Sequence, residues 1–229
     1  MAGIDAFTSM CLHMDGTDAS TTFTDSAITA LTITANGSAQ IDTAQSVFGG
    51  ASGLFPLSGY LTTTDTAALD FGTGDYTIDF RVRFSTIGVS QRLFGIGTYN
   101  SSGICGIFSA AVLYFYINSG TPSFGTAWVA AINTWYHIAI IRTGSTVRVF
   151  IDGAQLGLDL SDSTSMATTD GVFVSAWNIA TGDGLDSGWF DEFRISKGIA
   201  RWTTTFTPDA QAYSVDSANI MKMCLMGIG

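Results

Sequence analysis

The stretch that decides the fold is Gly188-Trp189-Phe190-Asp191-Glu192-Phe193-Arg194-Ile195-Ser196. If this stretch forms a β-strand, its side chains alternate between two faces, and Trp189, Phe193 and Ile195 share one of them. Asp191 then lies on the same apolar face. A carboxylate buried there must be protonated, hydrogen-bonded, paired with a cation or bound to a metal, since an unpaired buried charge is too costly. The stretch therefore predicts a core strand that carries a carboxylate with a specific role.

Strand patterns continue outward from this stretch. Tyr76–Phe84 alternates apolar and charged residues, and residues 135–142 are apolar on both faces, which is typical of a central strand. Asp152-Gly153 predicts a tight hairpin between strands at Thr146–Ile151 and 154–158. Further strand candidates, separated by Ser, Thr and Gly turns, are 10–14, 31–35, 53–55, 60–62, 92–97, 104–108, 112–118, 123–128 and 172–177; residues 65–70 favour a short helical turn.

This spacing predicts an all-β fold, a single antiparallel β-sandwich of about a dozen strands over residues 1–229. Its core is expected at about 9–213, with 214–229 as a C-terminal strand or docking tail. Met10-Cys11-Leu12 near the start resembles Met223-Cys224-Leu225 near the end. These segments are two similar strands, or the start of a second module, or neighbours at one sheet edge. In the last arrangement Cys11 and Cys224 come within disulfide reach, and the sequence leaves the choice open.

Composition restricts the partners. Only 12% of the residues are charged, and the formal net charge is −10. Nucleic acids and anionic membranes need patches of Lys and Arg, so the sequence argues against both as partners. No apolar run approaches the ~18 residues that span a bilayer, which predicts no membrane insertion. We expect no secretory leader, and three cysteines without CxxC spacing are typical of free thiols made in a reducing compartment.

Segments spread over nearly the whole chain line up, in order, with one known family. They are residues 12–16 (LHMDG), 20–26 (STTFTDS), 34–41 (TANGSAQI), 46–52 (SVFGGAS), 71–84 (FGTGDYTIDFRVRF), 135–139 (WYHIA), 149–153 (VFIDG) and 190–201 (FDEFRISKGIAR). Together they resemble the LamG-like, concanavalin A-like jelly rolls, in particular the version common in bacteriophage virion proteins. The resemblance implies an antiparallel β-sandwich jelly roll. It implies the function less strongly, because this fold hosts lectins, hydrolases, adhesins and capsid or tail decorations.

The resemblance and the composition favour a structural or interaction protein of a phage virion. The expected role is capsid decoration (cement) or tail-associated adhesion, by a protein that is made in the host cytoplasm and carried on the virion surface. Its partners would be virion coat or tail proteins and further copies of the chain, and a homotrimer is compatible with the symmetry of such assemblies. The alternative is a calcium-assisted carbohydrate-binding module that recognises a host surface glycan.

The sequence offers no catalytic pair. Glycoside hydrolases of this architecture use two carboxylates that flank the scissile bond. Asp191 and Glu192 are neighbours on a strand and are expected on opposite faces, and Glu192 is the only glutamate in the chain. His137 lies on a predicted central strand, where a hydrogen-bonded core histidine is the expected role. We therefore expect no enzymatic activity.

Calcium is the one cofactor with a physical argument, and its role would be structural. The ion binds about 6–8 oxygen ligands. Asp191 is the first candidate because it faces inward; the resemblance adds Asp25, in a loop that helps bind calcium in some relatives, and Asp15 is the third. Residues Ser26-Ala27-Ile28-Thr29 lack the polar cluster of that family loop, which weakens the metal prediction. The alternative is that Asp191 accepts hydrogen bonds from backbone amides at a loop.

Sugar binding would need an exposed aromatic platform beside polar groups. Tyr99, Trp177 and Trp202 are aromatic residues at predicted loops or strand ends. Trp177-Asn178, with Asp183 close in sequence, is the strongest pairing, and Tyr99 is a further candidate platform. The alternative is that each of these rings is a residue at the core edge or at an interface.

Overall fold

The structure is a computed structural model, and it describes residues 3–98, 101–177 and 184–215. The strands within these ranges are β1 (Thr8–Leu12), β2 (Thr34–Asn36), β3 (Gln40–Asp42), β4 (Ser52–Pro56), β5 (Tyr60–Thr62), β6 (Tyr76–Phe84), β7 (Gln91–Thr98), β8 (Ser102–Ser109), β9 (Val112–Ile117), β10 (Phe124–Ala127), β11 (Trp135–Thr143), β12 (Thr146–Ile151), β13 (Ala154–Ser161), β14 (Val172–Val174) and β15 (Ser187–Lys197). One 3₁₀ helix, Ala67–Leu69, lies between β5 and β6.

The strands form two antiparallel sheets that pack face to face. The eight-stranded sheet has the order β13-β12-β11-β6-β15-β4-β3, and β1 also pairs with β15. The seven-stranded sheet has the order β10-β9-β8-β7-β14-β5-β2. Each sheet buries one face against the other, as the alternation of apolar and polar residues requires. The prediction of a single all-β antiparallel sandwich is confirmed.

Phenylalanine rings dominate the core between the two sheets. Phe80 of β6 stacks on Phe193 of β15 with ring centroids 5.3 Å apart, and it meets Phe94 of β7 edge-on at 5.8 Å. Phe190 contacts Phe80 edge-on at 5.5 Å. All four side chains are fully buried. Each such ring contributes roughly 1.5–3 kcal/mol from its removal from water.

A β-bulge in β15 corrects the prediction made for that strand. Asp191 lies opposite Arg81 of β6, but the next paired residue is Arg194, so β15 contains one extra residue there. Glu192 takes up the irregularity with a φ of 50°. Phe190 and Phe193 therefore both face the core, whereas Asp191 lies on the outer face. The prediction that Trp189 and Asp191 share a face with Phe193 and Ile195 is wrong, because it assumed a regular strand.

The chain after β15 crosses the outer face of the eight-stranded sheet. We call residues 199–215 the C-terminal strap. Trp202 and Phe206 of the strap stack on each other at 4.1 Å, and both meet the ring of His137 edge-on at 5.7 Å. Tyr213 lies over the guanidinium of Arg194, with the carbon 3.6 Å from the ring centroid. The strap thus buries the outer face of the central strands.

A buried polar network lies beneath the strap. Arg194 donates to both carboxylate oxygens of Asp79 at 3.0 Å, and the hydroxyl of Tyr213 donates to the same carboxylate. Burial alone would raise the pKa of Asp79, but the Arg194 guanidinium overrides it and holds the pKa well below its usual range. His137 Nε2 lies 3.5 Å from Asp79 Oδ2. The predicted core position of His137 is confirmed, but only in part as a satisfied histidine, because its buried Nδ1 has no hydrogen-bond partner among the described residues.

Most predicted strands are present, and the differences lie at the ends of short ones. The candidate 172–177 ends at residue 174 because Ser175 has a φ of 64° and leaves the extended conformation. The candidate 31–35 is shifted to β2, and β3 was not predicted, because one buried residue, Ile41, gives no periodic pattern. The helical turn predicted at 65–70 is the 3₁₀ helix, which Thr66 caps at its N-terminus.

Two of the three cysteines lie in the described ranges. Cys11 and Cys105 are free, buried thiols. Cys224 lies outside the described residues together with the rest of 216–229, so its pairing with Cys11 stays a prediction. In the part of the chain that the structure describes, no helix is long and apolar enough to cross a membrane.

Candidate functional site

A groove lies on the outer face of the seven-stranded sheet. Its floor is formed by the side chains of the strands that point away from the core. Alternate residues of β9 enter the core, which leaves Tyr114 and Tyr116 on the outer face. Tyr114 lies opposite Ile107 of β8 on one side and opposite Gly125 of β10 on the other. Ile107 in turn lies opposite Arg92 of β7. These four residues form one row across four strands, and Tyr116 lies two residues further along β9.

The groove has a volume of about 410 Å³. This is within the range of roughly 300–1,000 Å³ that is usual for small-molecule sites. Its lining combines aromatic, hydroxyl and aliphatic groups with one cation: Tyr114, Tyr116, Trp177, Ser90, Ser109, Ile107, Pro122 and Arg92. Flat rings next to hydroxyl groups can stack on an apolar ligand face and hydrogen-bond its polar edge.

Trp177 and Arg92 form one wall of this groove. The backbone of Trp177 crosses Gly95 of β7 so closely that a β-carbon on Gly95 would lie 2.5 Å from the Trp177 carbonyl oxygen. The guanidinium carbon of Arg92 lies 4.4 Å from the centroid of the Trp177 ring, which is a cation–π distance. The absence of a side chain at Gly95 therefore positions the indole and, through it, the guanidinium.

We expect the substitution Gly95→Ala to displace Trp177, because the added methyl group overlaps the Trp177 backbone. Overpacking of this kind costs about 1–3 kcal/mol when the neighbours have to move. The matched control is Gly88→Ala, where nothing lies within 4 Å of the added carbon. The tryptophan bands of the near-UV circular dichroism spectrum should change in Gly95→Ala and stay unchanged in Gly88→Ala. Identical spectra for both variants would contradict this account of the wall.

The structure brings one of the predicted sugar-site residues into the groove. Trp177 lines it, whereas Asn178, Tyr99 and Asp183 lie outside the described residues. Trp202 is on the other sheet, stacked inside the strap, which matches the alternative prediction of a core-edge ring.

Sequence reasoning missed Tyr114, Tyr116 and Arg92. The signal for the two tyrosines was present, because Val112–Ile117 alternates tyrosine with core residues and has to place both rings on one outer face. Arg92 carries no local pattern. Its place beside Trp177 depends on strand order, which the sequence does not give.

The carboxylates predicted to bind calcium lie apart from this groove. Asp25 is buried and accepts three backbone amides, from Cys11 at 2.8 Å, Ala27 at 2.9 Å and Leu31 at 2.8 Å. Both of its oxygens therefore serve to close the loop at 25–31.

Asp191 accepts two backbone amides through Oδ2, from Val47 at 2.7 Å and Phe48 at 3.1 Å. The alternative prediction for this residue, amide capping at a loop, is confirmed. Its other oxygen, Oδ1, is buried and has no hydrogen-bond partner in the described part of the chain. Burial raises the pKa of Asp191 to about 7, against the two amide hydrogen bonds, and the negative charges of Glu192 and Asp15 add to the rise.

The charged groups near the Asp191 carboxylate are Glu192, His13 and Asp15. Glu192 binds Nδ1 of His13 through one oxygen and accepts the amide of Tyr213 through the other. Since Tyr213 belongs to the strap, Glu192 is on the same outer side as Asp191, and the prediction of opposite faces is wrong because of the bulge. The Glu192 hydrogen bond raises the pKa of His13, and burial raises the pKa of Asp15.

The fit of this cluster to calcium is partial. Asp191 and Asp15 offer hard oxygen donors, one of them the unpartnered buried Oδ1, which suits the ion. Both oxygens of Asp25 already accept backbone amides. Within the described ranges, no three His, Cys, Asp or Glu side chains lie close enough together to hold a metal ion. Any calcium ion would therefore rely on Asp191, Asp15 and backbone carbonyls.

The two packed sheets and the groove on one outer face define a concanavalin A-like jelly roll. The profile of one family, described as the concanavalin A-like lectin/glucanases superfamily, matches residues 56–201. This is more than half of the chain, and the chain belongs to that family. None of the curated protein sequences matches the chain.

Solved structures with the same fold include toxin binding domains. The binding domain of Paraclostridial Mosquitocidal Protein 1 is 13% identical with a TM-score of 0.63, over 84% of this chain and 49% of that one. The binding domain of botulinum neurotoxin DC, solved in complex with SialylT, is 14% identical with a TM-score of 0.60, over 97% and 52%. Botulinum neurotoxin type C, which depends on interaction with two ganglioside molecules to enter cells, is 14% identical with a TM-score of 0.63, over 97% and 52%.

The present chain spans about half the length of these toxin domains. At such low identity the likeness shows a shared fold. What the toxins bind is a property of those proteins.

Proposed function

We propose that this protein is a non-catalytic binding module that holds a glycan in the groove of the seven-stranded sheet. The observation that carries the proposal is the convergence of three aromatic side chains, Tyr114, Tyr116 and Trp177, with the hydroxyl groups of Ser90 and Ser109 in one open groove. A sugar ring presents an apolar C–H face and a polar rim, and this lining complements both. Membership of a lectin-containing superfamily supports the same conclusion.

The test is a glycan array probed with the wild-type protein and with Tyr114→Ala. We expect binding to at least one glycan, and a loss of at least about fivefold in affinity in the variant, since stacking on an aromatic ring contributes about 1 kcal/mol or more. Tyr60→Ala is the matched control, because Tyr60 is a half-buried tyrosine of β5 in the same sheet that does not line the groove. Equal loss in both variants, or no glycan bound by the wild type, would count against the proposal.

A second candidate function is a phage virion surface module, either a capsid decoration or a tail-associated adhesion module. The observation that favours this role is a set of exposed apolar side chains at one end of the sandwich. The loops after β4, β6 and β10 lie together there, since Pro56 lies opposite Ser187, Phe84 lies opposite Gly188, and the amide of Asn133 donates to Phe84. These loops expose large apolar side chains: Leu57, Val89, Val129 and Ile132. Exposed apolar patches of this kind mark protein interaction sites.

In this second role, that end packs on a virion coat or tail protein, or on further copies in a homo-oligomer such as a trimer. The protein is made in the host cytoplasm and carried on the virion surface, and the groove face stays open toward a host glycan. Mass spectrometry of purified particles would detect stoichiometric copies of the chain. Their absence would remove the virion role and leave the glycan-binding role standing.

A structural calcium ion at Asp191 and Asp15 also stays a proposal. It predicts that calcium raises the thermal unfolding temperature of chelator-treated protein at pH 8, and that Asp191→Asn abolishes the rise. An unchanged unfolding temperature in the wild type would rule the ion out as a stabilising ligand.

A further inference from the structure

We propose that the groove selects neutral glycans and discriminates against sialylated or sulfated forms of the same glycans. The inference rests on the proposed glycan-binding function and specifies its ligand class. Its basis is the charge distribution of the seven-stranded sheet and of the rest of the molecule.

The seven-stranded sheet is almost free of charge. Its strands β2, β5, β7, β8, β9, β10 and β14 contain one charged residue, Arg92. By contrast, the strands of the eight-stranded sheet contain six basic residues: Arg81, Arg83, Arg142, Arg148, Arg194 and Lys197. The described face that would meet the ligand therefore offers hydroxyl groups and aromatic rings, which recognise neutral sugars. It lacks the cluster of cations that recognises carboxylates or sulfates.

Arg92, the one cation among the described residues that line the groove, already packs against another residue of the protein. The guanidinium of Arg92 lies over the indole of Trp177, with its carbon 4.4 Å from the ring centroid. Arg92 and Trp177 also make further interactions within the protein. A guanidinium held in this way extends the aromatic wall, and its charge is partly compensated before any ligand arrives. Its contact with the indole therefore competes with any contact to an anionic ligand.

The rest of the molecule adds a repulsive field. The chain has nineteen acidic and nine basic residues, which gives a formal net charge of −10. Two of the basic residues, Arg142 and Arg194, are fully buried, and Arg148 pairs with Asp159 at 2.7 Å. An approaching anionic glycan is repelled by a negative surface potential that these cations do not offset. A neutral glycan has no net charge and is not repelled.

The experiment is a glycan array of matched sets, in which each neutral oligosaccharide is printed beside its sialylated and its sulfated form. Wild-type protein is applied at about 20 mM and at about 300 mM salt, since screening strengthens over this range. We expect the neutral member of a bound set to bind at least about tenfold more tightly than its anionic forms at low salt. Neutral binding should not change with salt, and the gap to the anionic forms should narrow at high salt as the repulsion is screened.

Two failures are distinguishable. If anionic forms bind more tightly than their neutral parents, weaken with added salt and lose that preference in Arg92→Gln, the groove recognises anions; the inference is then wrong and the glycan-binding function stands. If no glycan of either kind shows binding that depends on Tyr114, the proposed function itself fails. Preferential binding of neutral forms that is lost in Tyr114→Ala and retained in Tyr60→Ala supports both.

Discussion

Replacing Asp79 with asparagine is expected to lower the free energy of unfolding by about 3–5 kcal/mol. Asp79 and Arg194 are both fully buried, and two hydrogen bonds of 3.0 Å join them. The asparagine removes the carboxylate charge to which Arg194 donates both hydrogen bonds, and removing one partner of a buried ion pair is costly. The hydroxyl of Tyr213 also loses its charged acceptor, which loosens the strap that covers the sheet.

Urea unfolding at neutral pH measures this effect. Asp159→Asn is the matched control, because Asp159 forms an exposed ion pair with Arg148 at 2.7 Å, and exposed pairs contribute about 0–1 kcal/mol. A double variant, Asp79→Asn with Arg194→Met, removes the uncompensated charge and should recover part of the loss. If Asp79→Asn were no more destabilising than Asp159→Asn, the buried pair would not be holding the strap and the sheet together.

In chelator-treated protein, the free energy of unfolding is expected to fall by roughly 3 kcal/mol at most between pH 5 and pH 8 because of Asp191. Its pKa in the folded protein is about 7, above the 3.8 of an unperturbed aspartate. Between these two values the folded state keeps a proton that the unfolded state has released, so stability falls by about 1.4 kcal/mol per pH unit. The fall is complete once the pH exceeds about 7. It reflects the cost of ionising a carboxylate whose buried Oδ1 has no hydrogen-bond partner among the described residues.

Asp191→Asn isolates this contribution. His13 acts in the same direction, because its raised pKa means that stability is lost as the pH rises through its folded value. In Asp191→Asn the free energy of unfolding should therefore lose the larger part of its pH dependence and keep the smaller part that His13 causes. Asp159→Asn again serves as the control, and it should keep the full wild-type profile. A wild-type stability that rises from pH 5 to pH 8 would show that the buried carboxylate is compensated by a cation.

The fold could be predicted from the sequence wherever strands are regular. The alternation in Tyr76–Phe84 predicted which side chains enter the core, and Asp152-Gly153 predicted the hairpin between β12 and β13. The bulge in β15 broke the same reasoning. Phe190 and Phe193 are three residues apart, and both can face the core only if an extra residue interrupts the strand. Strict alternation of side chains along a regular strand therefore placed Asp191 on the wrong face. The expectation that its buried carboxylate needs hydrogen-bond partners was correct.

The groove could be predicted only in part. Trp177 was identified as an aromatic residue near a strand end, and the outward direction of Tyr114 and Tyr116 follows from their own strand. Their proximity depends on the order β9-β8-β7-β14, which joins segments far apart in the sequence. The role of Gly95 could not be predicted either. The backbone of Trp177 crosses it in the folded protein, and no feature of the residues next to Gly95 in the sequence indicates this contact.

The glycan-binding account is tested most directly by an NMR titration of the isotope-labelled protein with the strongest glycan from the array. We predict saturable shifts of backbone amides along the groove, at Arg92, Ile107, Tyr114 and Tyr116, with the amides of the strap unchanged. The same titration of Tyr114→Ala should give an affinity at least about fivefold weaker than that of the wild type. Shifts that cluster on the strap or around Asp15 and Gly49, with the groove amides unmoved, would contradict the account.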